Sequence, residues 1–180
     1  MNITVKKLTD TDLMRRACEM TMHKGKSKVS LAQMYDCEHS PMRTQLFWVE
    51  LLAIPTFVSV HLVRHKIGVE HFVTSNREDR GGADSVDRNT PVNHGMLINA
   101  QSLINLARKR LCLKSHQKTQ EVMRLLRTAV SASDVHLAAR MVPECAYRGG
   151  VCHEIQPCGM RAVSDPFESL RAFTTPQSTL

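Results

Sequence analysis

Aromatic side chains are scarce: Phe, Tyr and Trp together make up 4% of the 180 residues. The interior therefore has to be built from aliphatic groups and from the ten methionines, whose flexible thioethers fill irregular gaps. No apolar run approaches the roughly 20 residues that a membrane-spanning helix needs. The opening stretch MNITVKKLTDTD has no apolar segment of the kind a secretory signal carries. A cytoplasmic chain is expected, with its six cysteines as reduced thiols rather than disulfides. There is no CxxC pair and no internal repeat. There is also no Gly-x-Ser-x-Gly elbow, which sets aside a hydrolase reading of Ser75, His71 and Asp79.

Positive charge, by contrast, is in excess. The 24 Lys and Arg outnumber the 17 Asp and Glu, for a net charge of +7. That favours anionic partners such as nucleotides, nucleic acid or phosphate cofactors; a plain solvated cationic surface accounts for it equally well. At this length the chain is one domain, or one protomer of an assembly. Residues 1–165 are expected to fold and 166–180 to form a disordered tail.

Residues 1–10 alternate as a short strand. Thr9-Asp10-Thr11-Asp12 offers an N-cap for a helix to about Met22. A basic turn over 23–28 precedes a second short helix at Val29–Tyr35. Leu46–Leu51 is β-prone. Pro55 then opens a helix with Phe57, Val60, His61 and Arg64 on one face. His61 there is either a core histidine or part of a ligand wall, with the wall preferred. Residues 78–95 are polar, rich in Gly, Pro and Asp, and read as a loop. From Met96 to Val130 the apolar spacing predicts one long helix, Leu97, Ala100, Leu103, Ile104, Ala107 and Leu111 forming its stripe, continued by Val122, Leu125, Leu126 and Ala129. At 1.5 Å per residue it would span roughly 50 Å, too long for one small domain to cover, which predicts oligomer packing. Asp134–Met141 adds a further helix. The fold class expected is α+β: a small, mostly antiparallel sheet, one long helix, several shorter ones, and a homo-oligomer.

The most informative stretch is Arg64-His65-Lys66, followed after eight residues by Ser75-Asn76-Arg77. Cations are favoured in the last turn of a helix by about 0.3–1 kcal/mol each, which explains one of the three better than all three. It resembles the signature of the flavin-dependent thymidylate synthases: Arg-His-Arg, seven or eight residues, then Ser-x-Arg. Glu38-His39 upstream, and Asn99-Ala100-Gln101-Ser102-Leu103-Ile104-Asn105 followed by Arg110 downstream, match further family segments in the right order. Three departures stand out. Lys66 replaces the third arginine. Gln101 stands where an arginine is common. About twenty residues separate Arg77 from Asn99, where the family has several dozen.

The resemblance implies FAD as cofactor and methylation of dUMP to dTMP, with methylenetetrahydrofolate and NADPH as co-substrates. It also implies a homotetramer with shared sites. Arg64, His65, Lys66, Asn99 and Asn105 would contact FAD, with His39 near the flavin–folate face. Ser75, Arg77 and Arg110 would hold dUMP. Ser75 and Arg110 would act on the reacting base, with the serine as a substrate holder rather than a nucleophile. The compact pattern leaves two alternatives: a related C5 change, such as hydroxymethylation, of dUMP or dCMP, or a non-catalytic descendant that binds nucleotide or nucleic acid.

Other candidates are weaker. Cys145, Cys152, His153 and Cys158 have the ligand types of a tetrahedral zinc site, but at irregular spacing. Cys18, Cys37 and Cys112 read as core. Arg108, Lys109, Lys114, Arg124 and Arg127 stud the predicted long helix. A solvated or subunit-facing side explains them better than nucleic-acid binding, because no nucleic-acid motif accompanies them.

Overall fold

The computed structural model describes residues 1–82 and 87–159. The expected tail at 166–180 lies outside the described residues. The chain runs β1 (Asn2–Lys7), α1 (Thr11–Glu19), α2 (Leu31–Cys37), a 3-10 turn (Ser40–Thr44), β2 (Leu46–Pro55), α3 (Thr56–Val63) and β3 (Val69–Val73). A second 3-10 turn (Glu78–Arg80), β4 (Pro91–Asn99), α4 (Ala100–Arg110), α5 (Gln117–Ser133), α6 (Val135–Arg140) and α7 (Glu144–Tyr147) complete it. The four strands form one antiparallel sheet in the order β1-β2-β4-β3, so the class is the expected α+β.

Local chemistry sets these boundaries. Asp10 caps α1 by accepting from Leu13 N–H at 2.9 Å. Ser30 and Gln33 form a reciprocal capping box on α2. Such caps contribute about 1 kcal/mol each. In β2, Phe47, Val49 and Leu51 are fully buried. They sit in register with Ile98, Met96 and His94 of β4. Leu103, Ile104 and Ala107 of α4 and Val122, Met123 and Leu126 of α5 close the same core. It is aliphatic and Met-filled: Met14, Met34, Met42, Met96, Met123 and Met141 are all buried.

Two expectations fail together. The single helix from Met96 to Val130 does not exist, and Pro91–Gly95, read as loop, is strand. Val92, His94, Met96 and Ile98 are buried at a strict period of two, which is a strand pattern. A histidine in core phase disguised it, and Met96-Leu97-Ile98 then merged with the helical stripe of α4. The helix also breaks after Arg110. Leu111 closes α4 and His116 caps α5 through Lys118 N–H at 3.2 Å. The buried stripe of α5 is Val122, Met123, Leu126 and Val130, while Leu125 is exposed. Two helices of 11 and 17 residues replace the 50 Å rod, so the oligomer argument drawn from its length falls.

Candidate functional site

The cation cluster stands where α3 gives way to β3. Arg64 caps α3 in helical conformation, and His65 N–H donates to Leu62 O at 3.0 Å. The turn that follows is held from three sides. Asn99 N–H donates to Gly68 O at 3.0 Å. Ser102 Oγ donates to Ile67 O at 2.6 Å. His71 Nε2 donates to His65 O at 2.7 Å. Gly68 is required here: its φ is +70°, and a Cβ would run into the Asn99 amide and Ser102 Oγ. Asn99 also caps α4, its Oδ1 accepting from Ser102 N–H at 2.9 Å. Asn99 thereby ties α4 to the turn that carries Arg64, His65 and Lys66, through its side chain on α4 and its backbone N–H on Gly68.

Arg110, the last residue of α4, reaches back to this turn. Its Nη2 donates to His61 O at 2.8 Å and its Nε donates to His65 Nε2 at 3.1 Å. A guanidinium has no acceptor, so His65 Nε2 must be the bare nitrogen and a neutral His65 carries its proton on Nδ1. Burial first, then Arg110, His71 and Lys109, lower the His65 pKa to about 4, which agrees with a neutral ring. His61 contacts Thr119 Oγ1 through Nδ1 at 2.9 Å. Burial, then Arg110 and Arg64, lower its pKa as well. His61 is not among the residues that line the cavity at Arg110 and His65; it supplies a backbone carbonyl to Arg110.

A cavity of about 350 Å³ opens on this pair. Arg64, His65, Lys109, Arg110, Lys114 and Ser115 line it together with Cys112, and among the described residues Glu154 is the one acid in the lining. Four formal cations thus face one carboxylate. Burial, then Arg64, lower the pKa of Arg110, which marks mutual repulsion in the site. Ser115 Oγ is buried without a partner among the described residues. Uncompensated donors around a cavity suit an anion.

A second cluster lies beside His39. Glu38 adopts φ +50°, which costs a non-glycine residue on the order of 1 kcal/mol. Its carboxylate pairs with Arg108 and accepts from Gln101 Nε2 at 2.8 Å. Arg108 stacks 3.4 Å from the centroid of the Tyr147 ring, and its Nη1 reaches Asn105 at 3.4 Å. Glu38 therefore anchors the segment that presents exposed His39, while Gln101, at the position where the family often has arginine, completes the anchor. Asn105 is exposed beside it.

Not all expected site residues meet. Arg64, His65 and Arg110 share the cavity; exposed Lys66 is one residue outside the lining. Ser75 and Arg77 follow the far end of β3. At about 3.3 Å per residue that is roughly 20 Å of chain from the turn. There Arg77 is exposed and forks onto Asp79 at 2.9 and 2.7 Å. Ser75 Oγ accepts from Arg77 N–H at 3.3 Å. Cys145, Cys152, His153 and Cys158 do not converge: among the described residues, no group of three His, Cys, Asp or Glu is placed to hold a metal ion. Cys37 is exposed rather than core, Cys18 is half-buried against the core, and Cys112 lines the cavity. The helix cations are not a free stripe either. Arg108 is half-buried in its ion pair, and Arg127 donates to Ala138 O at 3.1 Å. Sequence reasoning passed over Ser59, Gly68, His94 and Ser102. Gly68 was detectable, since a lone glycine between helix and strand marks a left-handed turn.

Sequence profiles of known families give no match, and no curated protein matches either. Solved structures do. The fold is that of the flavin-dependent thymidylate synthases. Thymidylate synthase X from Helicobacter pylori, solved with FAD and dUMP, matches with a TM-score of 0.61 at 15% identity, covering 79% of this chain and 99% of that one. A second structure of the same enzyme with FAD and dUMP gives 0.63 at 14% identity, covering 79% and 100%. A UMP/dUMP methylase, PolB from Streptomyces cacaoi bound with 5-Br dUMP, gives 0.57 at 13% identity over 78% of this chain and 96% of that one. No helix among the described residues is long and apolar enough to cross a membrane.

Proposed function

We propose that the protein is a cytoplasmic, FAD-dependent enzyme that methylates dUMP to dTMP as a homotetramer, with methylenetetrahydrofolate and NADPH as co-substrates. The observation that carries this reading is the Arg110–His65 pair in a cation-lined cavity, on a fold whose solved examples hold FAD and dUMP. The residues present fit such a ligand. Arg64, Lys109, Arg110 and Lys114 offer charge to phosphate, and neutral His65 offers Nδ1–H to a ring carbonyl or ring nitrogen. A flavin, when bound, supplies the hydride, and the protein's part is to hold and orient it. Arg110 stays cationic beside the bound base and stabilises negative charge as it develops there. The separation of Ser75 and Arg77 from this cavity supports a site completed between protomers, in which these two residues hold the nucleotide of a neighbouring cavity.

Purified full-length protein should carry the visible absorbance of flavin, and should form dTMP when given dUMP, methylenetetrahydrofolate and NADPH. A colourless protein that takes up no FAD would overturn the reading. A second reading, a different C5 change on dUMP or dCMP, is favoured by Lys66, which cannot offer the planar fork of an arginine. Identification of the nucleotide product by mass separates the two, and size-exclusion chromatography with light scattering tests the tetramer.

A further inference from the structure

Behind the cavity, three elements converge on one carbonyl. Ser59 of α3 lies 3.0 Å from His94 Nδ1. His94 Nε2 lies 2.9 Å from His71 Nδ1. His71 Nε2 lies 2.7 Å from His65 O. His94 is fully buried and Ser59 is 4% exposed, and among the described residues their side chains bond only within this set. Three apolar side chains would fill the space without the desolvation that buried imidazoles and a hydroxyl carry. What apolar groups could not do is grip a carbonyl.

The direction of the chain follows from its end. A carbonyl only accepts, so His71 must donate from Nε2. A neutral His71 then has a bare Nδ1, which requires His94 to donate from Nε2. A neutral His94 then accepts at Nδ1, and the Ser59 hydroxyl donates to it. With both rings neutral, this is the one arrangement that satisfies every ring nitrogen. The reverse direction, with His94 donating to Ser59, requires His71 to carry a second proton.

We propose that Ser59, His94 and His71 form a one-way hydrogen-bond relay that fixes the main chain at His65, which makes His94 a positioning residue for the cavity. The grip lies on the same residue whose imidazole accepts from Arg110. It adds to the clamps that Ser102 and Asn99 place on Ile67 O and Gly68 O, so the turn is held at three carbonyls. A polarised chain of this kind is stiffer than its separate bonds, since each link strengthens the next. The geometry stands alone; its consequence for flavin rests on the function proposed above.

Ring-nitrogen NMR of the full chain at neutral pH should find His71 and His94 neutral, each with its single proton on Nε2. A proton on His94 Nδ1, or a doubly protonated His71, would overturn the relay. This readout needs no ligand, so it decides the relay even if the protein takes up no FAD. For the positioning role, His94→Leu should weaken FAD binding by about tenfold or more, as expected when buried partners lose a hydrogen bond. His94→Gln, whose amide can still donate to His71, should recover to within about threefold of wild type. Equal affinity for wild type and His94→Leu, or no recovery in His94→Gln, would contradict it. If His94→Leu does not fold, Ser59→Ala removes only the first donor and should leave the proton on His94 Nε2, because the His65 carbonyl sets the direction through His71. A His94 proton that moves to Nδ1 in that variant would sink the proposal.

Discussion

The polar clusters at Asp134 and at Arg110 differ in charge balance. At Asp134, 6% exposed, one carboxylate accepts from Lys7 Nζ at 2.7 Å, from Tyr35 Oη at 2.9 Å and from Leu137 N–H at 3.1 Å. One acid meets one cation, one phenol and one backbone amide, and nothing is left over. Desolvation and the neighbouring carboxylate hold the Tyr35 phenol far above its usual range, fixing it as a donor. At Arg110 the sum does not close: among the described residues, four cations line a cavity with a single acid. A balanced cluster joins β1, α2 and α6. An unbalanced one lowers the stability of the free protein and gains by taking an anion. The difference distinguishes a structural joint from the proposed binding site without appeal to any relative.

Breaking the joint should have the largest effect on stability. Asp134→Ala strands a buried phenol, unpairs Lys7 and uncaps α6, and is expected to cost about 3–5 kcal/mol in denaturant unfolding. The molecules that remain folded should bind FAD as wild type does; a specific loss of flavin affinity would blur the distinction between joint and site.

Acid should come next. His94 and His65 are both lowered to about pKa 4, His94 by burial and then by His71. Their folded-state values lie below the unfolded value near 6.5, so the unfolded chain takes up protons first. Stability from these groups is therefore complete above about pH 6.5 and is lost as pH falls toward 4. For fully buried His94 the loss amounts to at most about 3 kcal/mol. Thermal melts across that range should show the fall, and His94→Leu should flatten it. An equally steep fall in the variant would place the titration elsewhere.

The anchor beneath His39 should be smaller again. Glu38→Gln leaves Arg108, whose Nε already lacks a partner, without its carboxylate, at a cost of about 2 kcal/mol. Chemical denaturation would measure it, and a change below about 0.5 kcal/mol would mean that the pair is solvated.

How much of this was legible in the sequence differs between the two clusters. The turn at Arg64–Lys66 was visible because its cations crowd the end of an apolar segment and stand in a recognisable order with Ser75, Arg77 and Arg110. The strand that holds it was not. β4 carries His94 at a core position and ends in three consecutive apolar residues, so its period of two merged with the helical period of α4. Arg110 was expected inside a helix running on to Val130 rather than at the end of one, and its grip on His65 and on the His61 carbonyl depends on how α3 and α4 cross, which spacing along a chain does not encode. The Asp134 joint was invisible for the same reason: Lys7, Tyr35 and Asp134 are isolated polar residues until the fold brings them together across 127 and 99 positions of sequence.

The central claim is that the unbalanced cavity at Arg64, His65 and Arg110 is the ligand site. Equilibrium titration of FAD, followed by flavin fluorescence, into wild type and Arg64→Ala tests it most directly. The expected result is at least tenfold weaker binding in Arg64→Ala, about 1.4 kcal/mol, with unfolding stability unchanged within about 0.5 kcal/mol. Equal FAD affinity in the two proteins would contradict it.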